Sequence, residues 1–513
     1  MHLFVIFYLV MTKSVVYFSA ACYLLAVFFN VGVHQLDEHF QILEFANYKL
    51  GNTSAKGLAW EFDSQMRSGF QPFLVYLLHH ILLIFNINNP FFETFILRFF
   101  GGLLSFLAVL GLVNHFLPQI DAPKLKKWFI YLSLLFWFLP YINVRFSGEC
   151  LSASLFIFGY LTYFQGSKKG VSVSKKILFW LAAGLLLGLS FVVRFQMGLM
   201  IFGFALWALF VHKQPFGQLL MVFLGIILAI FVGTLTDFWL YDTWTVSWYN
   251  YIDQNLIEGK EADFGHYLWW WYFAETLNKA TPVFGLVIVI SVVYFILFSY
   301  RKHPLAWILL PFLVIHCHIG HKEMRFLFPI VNFLPIIFVL SIQFINKNYS
   351  KISYFLERYI AIWLKPLFWI VNFPLMVWLI FLPNEMDIPY KKYIFNHYKT
   401  PTILYTPIEN PSYTQYGFKE RIEANYYKPK NLNTIIYDTS TTIETQKNTT
   451  ILFNIDSIDS RNLLIINGLK FKKVYQTMPL YWANQYPDYR YLKQQPDHKR
   501  LERPRLTTLY ELK

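Results

Sequence analysis

Long apolar runs are the feature that most constrains how this chain folds. A membrane-spanning helix needs about 20 mostly apolar residues, because every backbone polar group in hydrocarbon must find its partner inside the protein. About eleven such runs occur, at 14–33, 94–117, 127–144, 150–165, 177–193, 196–212, 217–236, 282–300, 304–319, 326–345 and 362–383. The sequence therefore predicts an all-α polytopic membrane protein.

The composition agrees with a membrane as the solvent of this chain. Hydrophobic residues make up 56% of the 513 residues and charged residues only 14%, which is too apolar for a soluble enzyme of this size. The formal net charge of +14 could indicate nucleic acid as a partner. However, no basic patch with interleaved aromatic residues stands apart from the apolar runs, so nucleic acid is not expected.

Lysine and arginine in the short loops predict the orientation, because these residues resist translocation across the membrane. The clusters fall in alternate loops and consist of Lys124, Lys126, Lys127, Lys168, Lys169, Lys175, Lys176, Lys213, Arg301, Lys302, Lys347 and Lys351. That side is predicted to be cytoplasmic. The first loop 34–93, the second large loop 237–281, the short loops 145–149, 194–195 and 320–325, and the tail then face outward.

The composition changes after residue 383. Charged residues, Asn, Thr and Tyr become common, and apolar runs shorten to strand length at 402–405, 434–437 and 450–453. The sequence thus predicts a transmembrane domain at 1–383. We expect a small extracytoplasmic α/β domain to follow at 384–513.

Carboxylates directly follow the first apolar run, at Asp37, Glu38 and Glu44. If this stretch is helical, Asp37, Gln41 and Glu44 share one face. Carboxylates at a membrane boundary have two interpretations: solvated residues that end a helix, or a general base at the lipid surface. The spacing alone favours neither.

Basic residues recur in the loops predicted to face outward. Each one alone is typical of a side chain that extends from a helix end toward water. Outward loops should be poor in Lys and Arg, however, so their presence together indicates an anionic ligand on that side, and a lipid phosphate fits. These residues are Arg67, Arg145, Arg194, His321, Lys322 and Arg325.

Aromatic side chains accompany these charges in both large loops. Trp60 and Glu61 begin a stretch at 58–72 whose mixture of aromatic, acidic and basic residues predicts an interfacial helix. Trp269 and Trp271 belong to a run of four aromatic residues in the second loop. Such rings stack on sugars or lie in the headgroup layer, and composition leaves both possibilities open.

Taken in chain order, four elements resemble glycosyltransferase family 22. They are the acidic stretch from Asp37 to Glu44, the Trp60–Glu61 pair with Arg67 behind it, the tryptophan run at 269–271, and the stretch from His321 to Arg325. That family includes the polyprenyl-phosphate-mannose-dependent mannosyltransferases that build glycosylphosphatidylinositol anchors and lipid-linked oligosaccharides. The resemblance covers about residues 30–345, and 145–149 follows the family's Arg-and-Glu element only loosely.

The resemblance implies a GT-C fold and inverting transfer of mannose or a related hexose. The sugar would pass from a polyprenyl-phosphate donor to a lipid-linked or glycan acceptor at the extracytoplasmic face. By similarity, Asp37 is the general base, and Glu38 is its orienter or an alternative base. The expected phosphate-binding and substrate-binding residues are Arg67, Arg194, His321, Lys322, Arg325, Trp60, Glu61, Trp269 and Trp271. No metal or other cofactor is expected, and no metal-ligand spacing occurs in the sequence.

The main alternative from another class is a polytopic lipid or sugar transporter or flippase. A membrane acyltransferase or oligosaccharide polymerase is a second alternative function. Transporters place polar residues near the middle of the bilayer, whereas the ionisable residues here cluster at the outward ends of the runs, which favours an interfacial enzyme. The bias toward Phe, Ile, Lys and Asn favours a bacterial inner membrane, with the endoplasmic reticulum expected if the source is eukaryotic.

Overall fold

The computed structural model describes residues 2–168, 170–261, 265–382, 384, 387–407, 413–415, 421–438, 441–445, 448–455, 459–477 and 507–513. Lys169, one of the cations used to predict the orientation, lies outside these ranges. The chain forms two compact units. The membrane unit comprises Met1–Asn30, Glu61–Val75 and Phe95–Leu382, and the tail unit comprises Val31–Trp60, Tyr76–Thr94 and Pro383–Lys513.

Helices dominate the chain up to residue 397. In chain order α1 to α19 are His2–Phe29, Glu44–Lys49, Trp60–Asp63, Phe70–Ile84, Pro90–Phe116, Pro123–Leu135, Leu139–Asn143, Gly148–Gly166, Val173–Val193, Met197–Leu206, Phe216–Tyr241, Ser247–Ile252, Trp271–Lys279, Pro282–Tyr294, Pro304–His318, Leu334–Asn348, Ser350–Phe355, Ala361–Phe381 and Asp387–His397. A π-helical turn at Glu38–Leu43 precedes α2, and a 3₁₀ helix at Met324–Phe333 precedes α16. Each predicted apolar run overlaps one of these helical stretches.

Six helical stretches of the described residues are long and apolar enough to cross a membrane. They are Pro90–Gln119, Val173–Val193, Phe216–Tyr241, Pro282–Ser299, Met324–Asn348 and Ser350–Phe381. Shorter apolar helices lie at Lys13–Phe29, Phe70–Ile84, Met197–Val211 and Pro304–His318. The helical, multi-pass character is therefore confirmed, and the count of eleven spans stays a prediction.

Small residues allow helices of the membrane unit to approach closely. A Cβ atom added at Gly184 of α9 would lie 2.0 Å from the Val222 carbonyl oxygen of α11, and one at Gly225 would lie 2.2 Å from that of Leu181. Two glycines on facing helices thus bring the backbones together, and this packing stabilises helix pairs in lipid, where the hydrophobic effect between helices is absent.

The tail unit contains a six-stranded sheet. Strands β1 to β8 are Thr402–Pro407, Tyr413–Gln415, Arg421–Glu423, Leu432–Tyr437, Thr450–Ile455, Leu463–Ile466, Leu469–Gln476 and Thr508–Leu512. The order is β4-β1-β5-β8-β7-β6, with β1 parallel to β4 and β5, and β8 antiparallel to β5 and β7. The three strands predicted from the sequence are confirmed as β1, β4 and β5.

Both faces of this sheet are covered, because its central strands alternate between two apolar clusters. On one face, Ile451 and Phe453 of β5 pack with Tyr405 and Tyr510. On the other face, Leu452 packs with residues of β1, β8 and α19. The mixture of this sheet with α19 gives the predicted α/β character.

One local prediction is wrong: residues 58–72 do not form a single interfacial helix. The short helix α3 ends at Asp63, Gln65 adopts a positive φ of 49°, and α4 begins at Phe70. The chain turns here because the backbone N–H of Gly69 donates to the Asp237 carboxylate at 2.7 Å, a partner far along the sequence. The apolar helix α4 then follows within the first loop, where no helix of this kind was predicted.

Candidate active site

The acidic stretch of the first loop is helical, with a π-helical turn at Glu38–Leu43 followed by α2. Asp37 directly precedes the π-helical turn and is buried, with 7% of its surface exposed. Glu38 is more exposed, and its carboxylate accepts a hydrogen bond from the backbone N–H of His34 at 3.3 Å. Of the two predicted catalytic carboxylates, Asp37 is thus the one shielded from water.

Two arginines of the predicted phosphate site meet at one carboxylate in the membrane unit. Glu149 Oε1 lies 3.1 Å from an Arg194 guanidinium nitrogen and 3.7 Å from one of Arg325. All three side chains are largely buried. The Phe326 ring centroid lies 5.4 Å from the central guanidinium carbon of each arginine, so it contacts both cations.

Three different helix ends deliver these side chains to one place. Arg194 directly follows α9 in an extended conformation, and Glu149 lies in the first turn of α8, which Ser147 caps by accepting a hydrogen bond from the Cys150 N–H. Arg325 lies at the start of the 3₁₀ helix Met324–Phe333. Carboxylates are stabilised in the first turn of a helix by its dipole, which suits Glu149 to its place.

A second carboxylate, Glu323, joins the cluster. Arg325 donates two hydrogen bonds to it, at 2.7 and 2.9 Å, and His321 Nε2 lies 3.0 Å from Glu323 Oε1. Burial favours the neutral form of Glu323, but the Arg325 charge and the hydrogen bonds from His321 and Arg325 outweigh it and hold the pKa well below its usual range. Glu323 is therefore ionised and holds Arg325 in one orientation.

Lys322 contributes a buried ammonium group beside the aromatic run. It donates hydrogen bonds to the carbonyl oxygens of Ile319 and Tyr267, the latter at 3.2 Å, and burial lowers its pKa. The Tyr267 N–H donates to the Gly320 carbonyl at 2.9 Å. The start of the aromatic run therefore lies alongside the segment that carries the predicted phosphate ligands.

The predicted tryptophans differ in exposure. The Trp269 side chain is 64% exposed, whereas Trp271 is half-buried and its ring lies 5.0 Å from that of Tyr267. Trp60 is half-buried. An exposed Trp269 fits both a sugar-stacking role and a place in the headgroup layer, so both interpretations remain open.

Arg67 and Glu61 form a second polar group in the membrane unit. The Arg67 guanidinium lies 3.5 Å from the buried Glu61 carboxylate and 5.5 Å from the centre of the Tyr251 ring. The Tyr251 hydroxyl accepts a hydrogen bond from Gln196, two residues beyond Arg194. Arg67 is thus connected to the neighbourhood of Arg194 through two side chains.

Asp237, at the end of α11, has a structural role. Besides the Gly69 N–H, its carboxylate accepts a hydrogen bond from the Ser247 hydroxyl. A Cβ atom at Gly69 would lie 2.2 Å from the Thr236 carbonyl oxygen, a distance that backbone atoms cannot tolerate. Only glycine fits at this contact between the first loop and α11.

Gly69→Ala should therefore destabilise the fold by about 1–3 kcal/mol, because the added methyl group overpacks the contact with α11. The measurement is thermal unfolding of the detergent-purified protein. Gly217→Ala, in the first turn of the same helix, is the matched control, because a Cβ there has no neighbour within 4 Å. Equal unfolding temperatures for the two variants would contradict the close approach at Gly69.

The structure thus brings three predicted phosphate ligands, Arg194, His321 and Arg325, into one ion-pair cluster, and Lys322 is the neighbour of His321 in the chain. It also shows a residue that the sequence-based site lacked, since Glu149 lies between the two arginines. An acidic residue beside the predicted run 150–165, in a loop with an arginine, was the available signal. Asp37, Glu38 and Trp60 belong to the tail unit, and Glu61, Arg67, Trp269 and Trp271 to the membrane unit.

Comparison with known proteins supplies the family context. The model of the Alg9-like mannosyltransferase family matches residues 14–414. GPI alpha-1,2-mannosyltransferase 3 of Homo sapiens is 24% identical over 309 residues, which is 58% of this chain and 51% of that protein. GPI mannosyltransferase 3 of Candida albicans is 24% identical over 329 residues, with 62% and 63% coverage. The chain spans about half the length of the first curated relatives it matches.

A solved structure has a similar fold over nearly the whole chain. ArnT from Cupriavidus metallidurans, crystallised with undecaprenyl phosphate, matches with a TM-score of 0.54 at 9% identity and covers 98% of both chains. At this identity the likeness shows the GT-C fold alone.

Proposed function

This chain belongs to the Alg9-like mannosyltransferase family, and from that premise we propose that it is an inverting glycosyltransferase. The sugar would be mannose or a related hexose, taken from a polyprenyl-phosphate donor and given to a lipid-linked or glycan acceptor. The observation that carries the proposal is the cluster in which Arg194 and Arg325 share Glu149, with Lys322 and His321 beside them. Buried cations that converge in this way suit a phosphate.

In the proposed reaction Asp37 is the general base. It takes the proton of an acceptor hydroxyl while the hydroxyl oxygen attacks the anomeric carbon of the donor sugar. The bond from that carbon to the phosphate oxygen breaks, and polyprenyl phosphate leaves with the electron pair. The burial of Asp37 supports this role, because its carboxylate is shielded from bulk water that would compete with the acceptor hydroxyl. Glu38 would orient the acceptor or Asp37.

The cationic cluster would bind the donor phosphate and stabilise the charge that grows on it as it leaves. Arg194, His321, Lys322 and Arg325 would be the direct ligands, and Arg67 would assist in binding the phosphate. A phosphate leaving group needs little protonation, so one base and several cations suffice, and we propose that no metal ion is required. ArnT, whose fold is similar, binds undecaprenyl phosphate, which supports a polyprenyl-phosphate donor.

The aromatic residues would contact the sugars. Trp269 offers an exposed ring on the segment that Lys322 holds through the Tyr267 carbonyl, so a hexose bound at the phosphate site could stack there. We assign Trp271, Trp60 and Glu61 to the same substrate-binding role. Trp271 would support the Trp269 segment through its contact with Tyr267.

We further propose about eleven spans and an active site on the extracytoplasmic face. The distribution of Lys and Arg supports this orientation. Residues 384–513 would then face outward, where they could help select the acceptor. The membrane would be a bacterial inner membrane, or that of the endoplasmic reticulum if the source is eukaryotic.

A transfer assay tests this function against transport. The purified protein in liposomes receives radiolabelled polyprenyl-phosphate mannose and a glycolipid extract as acceptor, and labelled glycolipid is separated from donor. We expect label transfer by the native chain and its loss in Asp37→Asn. Movement of labelled lipid across the bilayer at the native rate by that variant, without transfer by either protein, would indicate a flippase instead.

Lys322→Ala should mainly weaken donor binding. A charge-assisted hydrogen bond contributes about 1.5–3 kcal/mol, so the KM for the donor should rise about 10- to 100-fold while kcat changes little. Lys322→Arg keeps the charge, so its KM for the donor should rise less. Initial rates at varied donor concentration give both constants, and Lys302→Ala, in a loop predicted to be cytoplasmic, is the control. A fall in kcat at unchanged KM would contradict a donor-binding role.

A further inference from the structure

Glu44 is a fully buried carboxylate of the tail unit with partners on both oxygens. Its Oε1 lies 2.9 Å from His39 Nε2 and accepts a hydrogen bond from the Tyr426 backbone N–H at 2.7 Å. Its Oε2 accepts from the Asn47 amide at 3.1 Å and from the Thr53 hydroxyl at 3.2 Å. Glu44 therefore bonds the acidic stretch to Thr53 later in the first loop and to a backbone group 382 residues further along the chain.

Tyr427, the residue after Tyr426, also contacts the acidic stretch, through the ring of His39. Its ring stacks on that of Phe91, with centroids 5.0 Å apart and an interplanar angle of 28°. The same ring lies 5.8 Å from the imidazole of His39. His39 is thus held by Glu44 through its Nε2 atom and packed by Tyr427 through its ring.

These contacts fix a helical segment that carries the proposed base. Asp37 lies two residues before His39, at the start of the π-helical turn Glu38–Leu43, and Glu44 lies directly after that turn. An alternative orientation of this turn would leave the buried Glu44 side chain without its partners, and a buried polar group without hydrogen bonds is unfavourable. The rotation of the segment about its axis is therefore strongly specified.

We propose that Glu44 and Tyr427 are positioning residues that hold Asp37 for proton transfer, so that residues 426–427 of the tail are part of the catalytic apparatus. The inference rests on the proposed function, because it assigns a purpose to the place of Asp37. Displacing a catalytic group by about 1 Å can lower a rate by about 100-fold, so small shifts of this segment matter. Neither residue touches the reacting atoms in this scheme.

Paired substitutions test the proposal through kcat, with the donor KM as the internal comparison. Tyr427→Ala removes the ring that packs on His39 and Phe91, whereas Tyr427→Phe keeps it. We expect Tyr427→Ala to lower kcat by about 10- to 100-fold at an unchanged donor KM, and Tyr427→Phe to restore most of it. Glu44→Ala should behave like Tyr427→Ala, and Glu44→Gln, which keeps an acceptor oxygen for the Tyr426 N–H, should retain more activity.

Thermal unfolding of every variant separates positioning from loss of fold. Asp459→Asn is the matched control in the tail unit, because it makes a conservative change at a carboxylate whose ion pair, 2.7 Å long, is with Arg461. Its kcat should stay native. The proposal is overturned if Tyr427→Ala keeps native kcat, or if its kcat falls only in proportion to the folded fraction. If Asp37→Asn remains active, the proposed base is wrong whatever the tail variants do.

Discussion

Replacing Asp37 with asparagine should lower kcat by about 100- to 10,000-fold, the range that a positioned general base contributes. The amide has nearly the same shape as the carboxylate but cannot take the proton of the acceptor hydroxyl. Because the side chain is buried, water cannot readily act in its place. The donor phosphate would still bind to the cationic cluster, so the KM for the donor should change little.

Single-turnover transfer of radiolabelled sugar measures this effect without interference from product release. Asp63→Asn is a matched control, since it makes the same change at an exposed carboxylate of the first loop and should leave the rate unchanged. Glu38→Gln decides between the two roles assigned to that residue. If Glu38 is an orienter, Glu38→Gln should lower the transfer rate less than Asp37→Asn does. If Glu38 is an alternative base, the two variants should lower the rate equally. A native single-turnover rate in Asp37→Asn would reject Asp37 as the base.

The features that the sequence predicted correctly depend on short stretches of chain. A run of apolar residues specifies a helix in lipid wherever it occurs, so the run at 217–236 became α11 without reference to any other residue. Strand-length apolar runs between polar segments likewise became β1, β4 and β5. The prediction of a single helix at 58–72 was wrong because the conformation there depends on Asp237. No local sequence pattern shows that Asp237 lies beside Gly69.

Only some members of the charged cluster could be predicted from the sequence, because the others are brought in by tertiary packing. His321, Lys322 and Arg325 lie in one short segment, so their charges were visible together. Glu149 was missed because its partners lie on two other helix ends, and the choice of partner for a buried carboxylate is a matter of tertiary packing. Buried guanidinium groups need counter-charges, and Glu149 is one of the few carboxylates that border the outward ends of the apolar runs.

Arg325→Ala should lower kcat/KM for the donor by about 100- to 1,000-fold, the effect of removing one preorganised donor from a developing anion. Arg325 donates two hydrogen bonds to Glu323 and lies 3.7 Å from Glu149, so its guanidinium is held ready before substrate arrives. Without it, the Glu149 and Glu323 carboxylates of the cluster would be opposed by less positive charge. The variant thus weakens the attraction for the leaving phosphate.

Arg325→Lys separates charge from geometry in this prediction. A lysine restores the positive charge but cannot make two parallel hydrogen bonds to Glu323, so we expect it to recover only part of the lost kcat/KM. Arg301→Ala, at an exposed arginine in a loop predicted to be cytoplasmic, should have no effect. Rates must be normalised to the folded fraction from thermal unfolding, because breaking a buried ion pair also destabilises a protein by about 3–5 kcal/mol. If folded Arg325→Ala transferred sugar with native kcat/KM, the cluster around Glu149 would be a structural ion-pair network, and the donor phosphate would bind elsewhere.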